Sequence, residues 1–152
     1  MRKIIKSAII TMISISIIST TAISQSLPQG KWRLESYNFM QKIAYPIDKN
    51  TITLNIHEEG KLGGKSGCNV YGGNYSMEDG ELSITGIIST MMACEEPSMQ
   101  FEQTFFRTLE GAKNFELSNG KLTITNAVTA NFLRFVRVKE RHKCQPSIKV
   151  ID

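Results

Sequence analysis

Apolar and polar residues alternate with period two over several short stretches after residue 30, and one stretch has helical spacing instead. Lys31-Trp32-Arg33-Leu34-Glu35-Ser36 puts Trp32 and Leu34 on one face of a first strand. The cleanest alternation spans 51–57, where Ile52, Leu54 and Ile56 point one way and Thr51, Thr53, Asn55 and His57 the other. Glu58-Glu59-Gly60 turns the chain into a hairpin partner over 61–65. Strands over 75–77 and 81–85 flank Glu78-Asp79-Gly80. A later pair sets Phe115 and Leu117 against Leu122 and Ile124 across Ser118-Asn119-Gly120. Asp-Gly and Asn-Gly favour tight hairpins because both residues accept positive φ. Residues 131–138 read as the last strand, whereas 38–50 read as irregular, broken by Pro46 and Asp48.

The helical stretch follows Pro97. Phe101, Phe105, Leu109 and Ala112 share one arc of it, and Gln100, Gln103, Arg107 and Glu110 share the opposite one, with Gly111 at its end. Seven or eight short strands and one helix, without βαβ alternation, argue against a parallel sheet. The fold class expected is mainly β: an antiparallel sheet curled into a small barrel or half-barrel, with the helix covering an opening. Gly67-Cys68-Asn69 and Gly72-Gly73-Asn74 are read as places where the backbone can adopt positive φ at little cost, because glycine pays no Cβ penalty there.

The N-terminal segment changes how the composition is read. Arg2, Lys3 and Lys6 precede an apolar run over 9–18, and Ala22-Ile23-Ser24 offers small residues to a signal peptidase. The run is shorter than the ~20 residues that span a bilayer, which favours a cleaved signal peptide over 1–24 rather than a retained anchor. No cysteine lies near the cleavage point, so no lipid-anchored terminus and no stable membrane anchor is expected. Residues 1–24 carry three of the 18 bases and none of the 14 acids, so their removal lowers the net charge from +4 to +1. The basic pI therefore gives no support to nucleic-acid binding. The remaining 128 residues suit one domain over 25–138 followed by a basic tail over 139–152. An exported, periplasmic or secreted, monomer is the expectation.

Export bears on the three cysteines, since thiols pair in oxidising compartments. Cys68 and Cys94 either form a disulfide, closing a loop of 27 residues, or stay as two buried thiols; Cys144, in the tail, is left over or pairs between molecules. Glu102 is the unexpected residue of the helix, because it projects into the apolar arc. Either it is buried, accepting N–H groups of the loop near Cys68 and Asn69, or it sits at the edge of the arc with its head in water. Glu95-Glu96 precedes Pro97 at the helix start, where carboxylates favour the macrodipole. His57 is expected in solvent and His142 lies in the tail. The chain has no HExxH, GxSxG, phosphate-binding loop or CxxC, so neither an enzyme nor a cofactor or metal site is expected.

On these residues the chain resembles the META/HslJ family. Gly30-Lys31-Trp32-Arg33-Leu34 is similar to its opening strand, and Gly67-Cys68-Asn69 with Tyr71, Gly72 and Tyr75 to its GCN-x-Y-x-G-x-Y segment. Ser89-Thr90-Met91-Met92-Ala93-Cys94 is similar to its sT-x-MAC segment, Glu102, Phe105 and Leu109 to its helix, and Leu133-Arg134-Phe135 to its closing strand. The resemblance implies a lipocalin-like barrel with one packed helix and a role in the envelope, since bacterial members are associated with heat-shock response and novobiocin resistance. It defines no catalytic residues. The function expected is a stress-tolerance binding protein for an envelope protein or a small apolar molecule. The alternative is an inhibitor or assembly chaperone acting through strand edges or the basic tail. Trp32, Phe105 and Leu109 are available to fill the barrel, so a solid core is expected in place of a ligand cavity.

Overall fold

The computed structural model describes residues 26–39, 41–48 and 51–139. The expected signal peptide lies outside them, as does the expected tail beyond Lys139, with His142 and Cys144. The strands are β1 (Gly30–Phe39), β2 (Lys42–Ala44), β3 (Thr53–Ile56), β4 (Lys61–Lys65), β5 (Val70–Glu78), β6 (Glu81–Ser89), β7 (Ala112–Ser118), β8 (Lys121–Asn126) and β9 (Phe132–Arg137). Among the described residues one helix, α1 (Glu96–Glu110), connects β6 to β7.

Eight strands form one antiparallel sheet in the order β6-β5-β4-β3-β1-β9-β8-β7, and β2 pairs with β1 beside this path. The sheet curls until its two ends approach. The edge strands β6 and β7 are not hydrogen-bonded to each other, but Lys113 and Glu81 form an ion pair of 3.5 Å between them. The result is a nearly closed barrel, the architecture the alternation predicts.

The hairpin turns fall where the turn residues put them. Asp79-Gly80 and Asn119-Gly120 both take positive φ, 51° and 83° in the first and 51° and 72° in the second. Phe115 pairs with Ile124 and Leu117 with Leu122. Two readings need correction. Residues 38–50 are not irregular throughout, because β1 extends to Phe39 and β2 turns back along it, Tyr37 against Ala44. Gly72 and Gly73 are not at positive φ; they lie in extended β5, where the register with β6 shifts between Gly72 and Asn74. Glycine suits the place because a Cβ on Gly73 would press on Ile87 and the Thr85 carbonyl.

The barrel has a solid interior. Trp32, Leu34, Leu54, Leu82, Leu122 and Phe135 are buried from the sheet, and Phe105 and Leu109 of α1 pack among them. Each such side chain contributes roughly 2–3 kcal/mol by leaving water. Trp32 keeps its indole N–H satisfied on the Pro28 carbonyl at 3.1 Å. The helix ends against β8. The Asn126 amide, buried there, donates to the Arg107 carbonyl at 2.9 Å and accepts from Val128 and Thr129 N–H at 2.8 and 2.9 Å. A Cβ on Gly111 would collide with that amide, which explains glycine at a helix end whose φ is an ordinary −90°.

Candidate functional site

Residues 66–69, between β4 and β5, form a tight loop that organises one end of the barrel. The Ser66 N–H donates to the Asn69 carbonyl at 2.9 Å, and Gly67 supplies the positive φ of 114° that lets the loop close. Inside the loop sits the Glu102 carboxylate, only 7% exposed. Its Oε1 accepts from Ser66 Oγ at 2.6 Å and from the Asn69 N–H at 2.9 Å, and its Oε2 accepts from Asn69 Nδ2 at 2.7 Å. Ser66 Oγ also lies 3.1 Å from the Asn69 carbonyl, but its single proton favours the shorter, charge-assisted bond. Burial thus comes with three donors, which meets the requirement that a buried carboxylate be hydrogen-bonded.

Asn69 joins this carboxylate to the segment after β6. Its Oδ1 accepts from Thr90 Oγ1 at 2.8 Å and from the Met92 N–H at 2.9 Å, and Thr90 Oγ1 accepts from the Val70 N–H at 3.2 Å. The Cys68–Cys94 disulfide fastens the same two segments, with Cα atoms 6.4 Å apart. Gly67, Cys68, Asn69, Thr90, Cys94 and Glu102 therefore form one assembly. Tyr71 adjoins it, buried edge-to-face against Phe105 and Phe106 at 5.4 and 5.5 Å, with its hydroxyl donating to the Thr53 carbonyl at 3.0 Å. Gly72, opposite Gly63 on β4, and Tyr75, whose hydroxyl donates to the His57 carbonyl at 3.0 Å, lie farther along β5 and outside the assembly.

Burial pushes the Tyr71 phenol far above its usual range. A group whose folded pKa is raised stabilises the fold fully below its unfolded pKa of about 10, and that stability fades as pH rises beyond it. Alkaline titration is expected to show Tyr71 ionising only as the domain unfolds, with Tyr37 also delayed by its partial burial. Reversible phenolate absorbance from every tyrosine before any loss of β-sheet circular dichroism would contradict this placement.

Beside the assembly lies an open, largely apolar cleft of about 520 Å³. Tyr37 and Phe101, in edge-to-face contact at 4.8 Å, line it together with Tyr45, Pro46 and Ile47. The two disulfide cysteines and Pro97 also line it. Ile47 is fully exposed and Tyr45 is 68% exposed, an unusual amount of apolar surface for the rim of a small domain. Sequence reasoning assigned Phe101 to the core-facing arc, treated 45–48 as irregular chain, and did not single out Ser66 or Tyr37. The exposed Tyr-Pro-Ile run was the available signal. Among the described residues no group of three His, Cys, Asp or Glu side chains has the arrangement of a metal site, and no helix is long and apolar enough to cross a membrane. Both oxygens of Glu102 are occupied by donors within the fold, so the arrangement holds chain segments in place.

Solved structures share this architecture. An NMR structure of a protein from Burkholderia xenovorans superposes with a TM-score of 0.61 at 23% identity, over 74% of this chain and 83% of that one. A second NMR structure gives 0.55 at 25% identity, over 71% and 88%. The crystal structure of a DUF4847 family protein from Bacteroides vulgatus gives 0.51 at 13% identity, over 74% and 95%, a likeness of fold alone. No curated protein matches the chain. The profile of the META domain matches residues 25–139, nearly the whole of the barrel, its helix and the 66–102 assembly together, and the chain therefore belongs to the META domain family.

Proposed function

We propose that the domain is a non-enzymatic binding protein of the envelope or the secreted space, which supports stress tolerance by holding an apolar molecule or an apolar segment of an envelope protein. The observation that carries this reading is the cleft lined by Tyr37, Phe101, Tyr45, Pro46 and Ile47. Its volume falls within the range of ligand sites, roughly 300–1,000 Å³, and Tyr37 and Phe101 are held against each other before any ligand arrives. The barrel interior is packed with side chains, and this external cleft offers an apolar surface outside it. Export is supported by the disulfide, because cysteines stay oxidised chiefly outside the cytoplasm. The stress-tolerance element comes from family membership alone.

The test is a thermal-shift panel of lipids and apolar dyes on the domain and on Tyr37→Ala and Phe101→Ala variants. Saturable stabilisation that either substitution weakens about tenfold is expected, in keeping with the loss of a buried aromatic contact. A panel without any shift, on a protein that melts cooperatively, would remove the small-molecule version. One feature favours the alternative of an inhibitor or assembly chaperone: β6 and β7 each present an edge that pairs with no other described strand. Pull-down from envelope extract, with and without residues 139–152, separates partner capture by those edges from capture by the tail.

A further inference from the structure

The outer face of β1, β9 and β8 carries a group of cations that the cleft does not use. Arg33 on β1 and Lys121 on β8 both pair with Val136 of β9, so they flank it on either side. Arg134 stands on the same face two residues earlier in β9, since alternate strand residues share a face, and it is opposite Thr123. The three cations share a recess of about 380 Å³ with a single acid, Glu35, and Ile43, Tyr45 and Pro46 also line it. Lys121 is neutralised by Glu35, Nζ to Oε2 at 2.8 Å. Arg134 is held flat by two contacts: its Nε–H donates to Thr123 Oγ1 at 3.3 Å, and its guanidinium lies 5.1 Å from the centre of the Phe132 ring. Neither contact uses its terminal amino groups. Among the described residues neither Arg33 nor Arg134 has a carboxylate partner.

Two guanidinium groups in one recess repel each other unless an anion lies between them. Their forked N–H donors match the oxygens of phosphate and carboxylate, and the net charge of +2, three cations less Glu35, matches the dianion of a phosphate monoester. Ile43 and Tyr45, both more than half exposed, would receive an apolar group attached to that anion. We propose that this recess is a binding site for a phosphate monoester carried on an apolar body. The phosphate sits between Arg33 and Arg134, and the body lies on Ile43, Tyr45 and Pro46. The site shares only Tyr45 and Pro46 with the cleft and does not depend on the cleft being occupied.

The experiment is calorimetric titration of the domain, at low ionic strength, with inorganic phosphate, octyl phosphate and octyltrimethylammonium. Octyl phosphate is expected to bind at least about tenfold more tightly than inorganic phosphate, because several methylenes leave water. Octyltrimethylammonium is expected not to bind. Arg33→Gln and Arg134→Gln should each weaken octyl phosphate about tenfold or more, the usual cost of one charge-assisted hydrogen bond. Glu35→Gln, which frees Lys121, should tighten it, and Tyr45→Ala should lower the affinity for octyl phosphate without changing that for inorganic phosphate. Co-sedimentation with phosphatidic acid vesicles, against phosphatidylcholine vesicles, distinguishes a membrane lipid from a soluble amphiphile as the source of the headgroup. Equal binding of the anionic and cationic amphiphiles would overturn the proposal. So would unchanged affinity in both arginine variants, whose melting curves report whether they are folded.

Discussion

Glu102→Gln, a substitution that keeps every heavy atom in place, is expected to destabilise the domain by about 2–3 kcal/mol, the cost of leaving buried donors without acceptors. The reason lies in the count of protons at the 66–69 loop. Glu102 offers two acceptor oxygens to three donors, namely Ser66 Oγ–H, Asn69 N–H and Asn69 Nδ2–H. If the new amide nitrogen takes the place of Oε2, it faces Asn69 Nδ2, donor against donor. Asn69 cannot relieve this by rotating its amide, because its Oδ1 is already committed to Thr90 Oγ1 and the Met92 N–H. If the nitrogen takes the place of Oε1, Ser66 can turn its proton to the Asn69 carbonyl, but the Asn69 N–H then loses its acceptor. Glu102→Ala removes all three acceptor contacts and should cost about 3–5 kcal/mol, a large share of the 5–15 kcal/mol typical of a domain. Urea unfolding of the three proteins measures this directly. A glutamine variant as stable as the parent would mean that the carboxylate does not hold the loop.

The signals that made Glu102 conspicuous also show what sequence alone conveys here. A carboxylate inside an apolar helical arc must find donors or water, so its two possible environments were readable before any coordinates. Its partner Ser66 was not, because a serine next to glycine fits any loop. The hairpins at Asp79-Gly80 and Asn119-Gly120 were legible because their turn chemistry is local. β2 was not: it is three residues long and its pairing is to β1 alone. Its strand character comes from a neighbour, so no alternation in Lys42-Ile43-Ala44 announces it. Gly72-Gly73 misled for the opposite reason. Glycine permits positive φ, yet here it answers the crowding of β5 against β6. Both candidate binding surfaces draw their walls from distant parts of the chain, Tyr37, Pro46, Cys68 and Phe101 in one and Arg33, Lys121 and Arg134 in the other. Only the barrel register brings them together, so no periodicity could have shown either.

Reducing the Cys68–Cys94 disulfide, or replacing both cysteines by alanine, is expected to cost ~3.5 kcal/mol, the loop-closure value for a ring of this size. The ring contains the β5–β6 hairpin, whose strands pair along most of their length without help from the sulfurs. Its two ends are also joined by Asn69, through Thr90 and Met92. The reduced protein should therefore still fold and unfold in one cooperative transition, with its midpoint lowered by roughly 3–5 °C per kcal/mol lost. If the disulfide acts by restricting the unfolded chain, its loss is indifferent to Asn69, and the costs of reduction and of Asn69→Ala should add to within about 0.5 kcal/mol. A clear departure from additivity would place its action in the folded state, as a second fastening of the segment that Asn69 grips. An unchanged midpoint after complete reduction, verified by mass, would show that Asn69 and the hairpin alone close this end of the barrel. Cys68 and Cys94 also line the cleft. Reduction should consequently weaken any ligand held against Phe101 while leaving phosphate binding at Arg33 and Arg134 unchanged, since neither cysteine lines that recess.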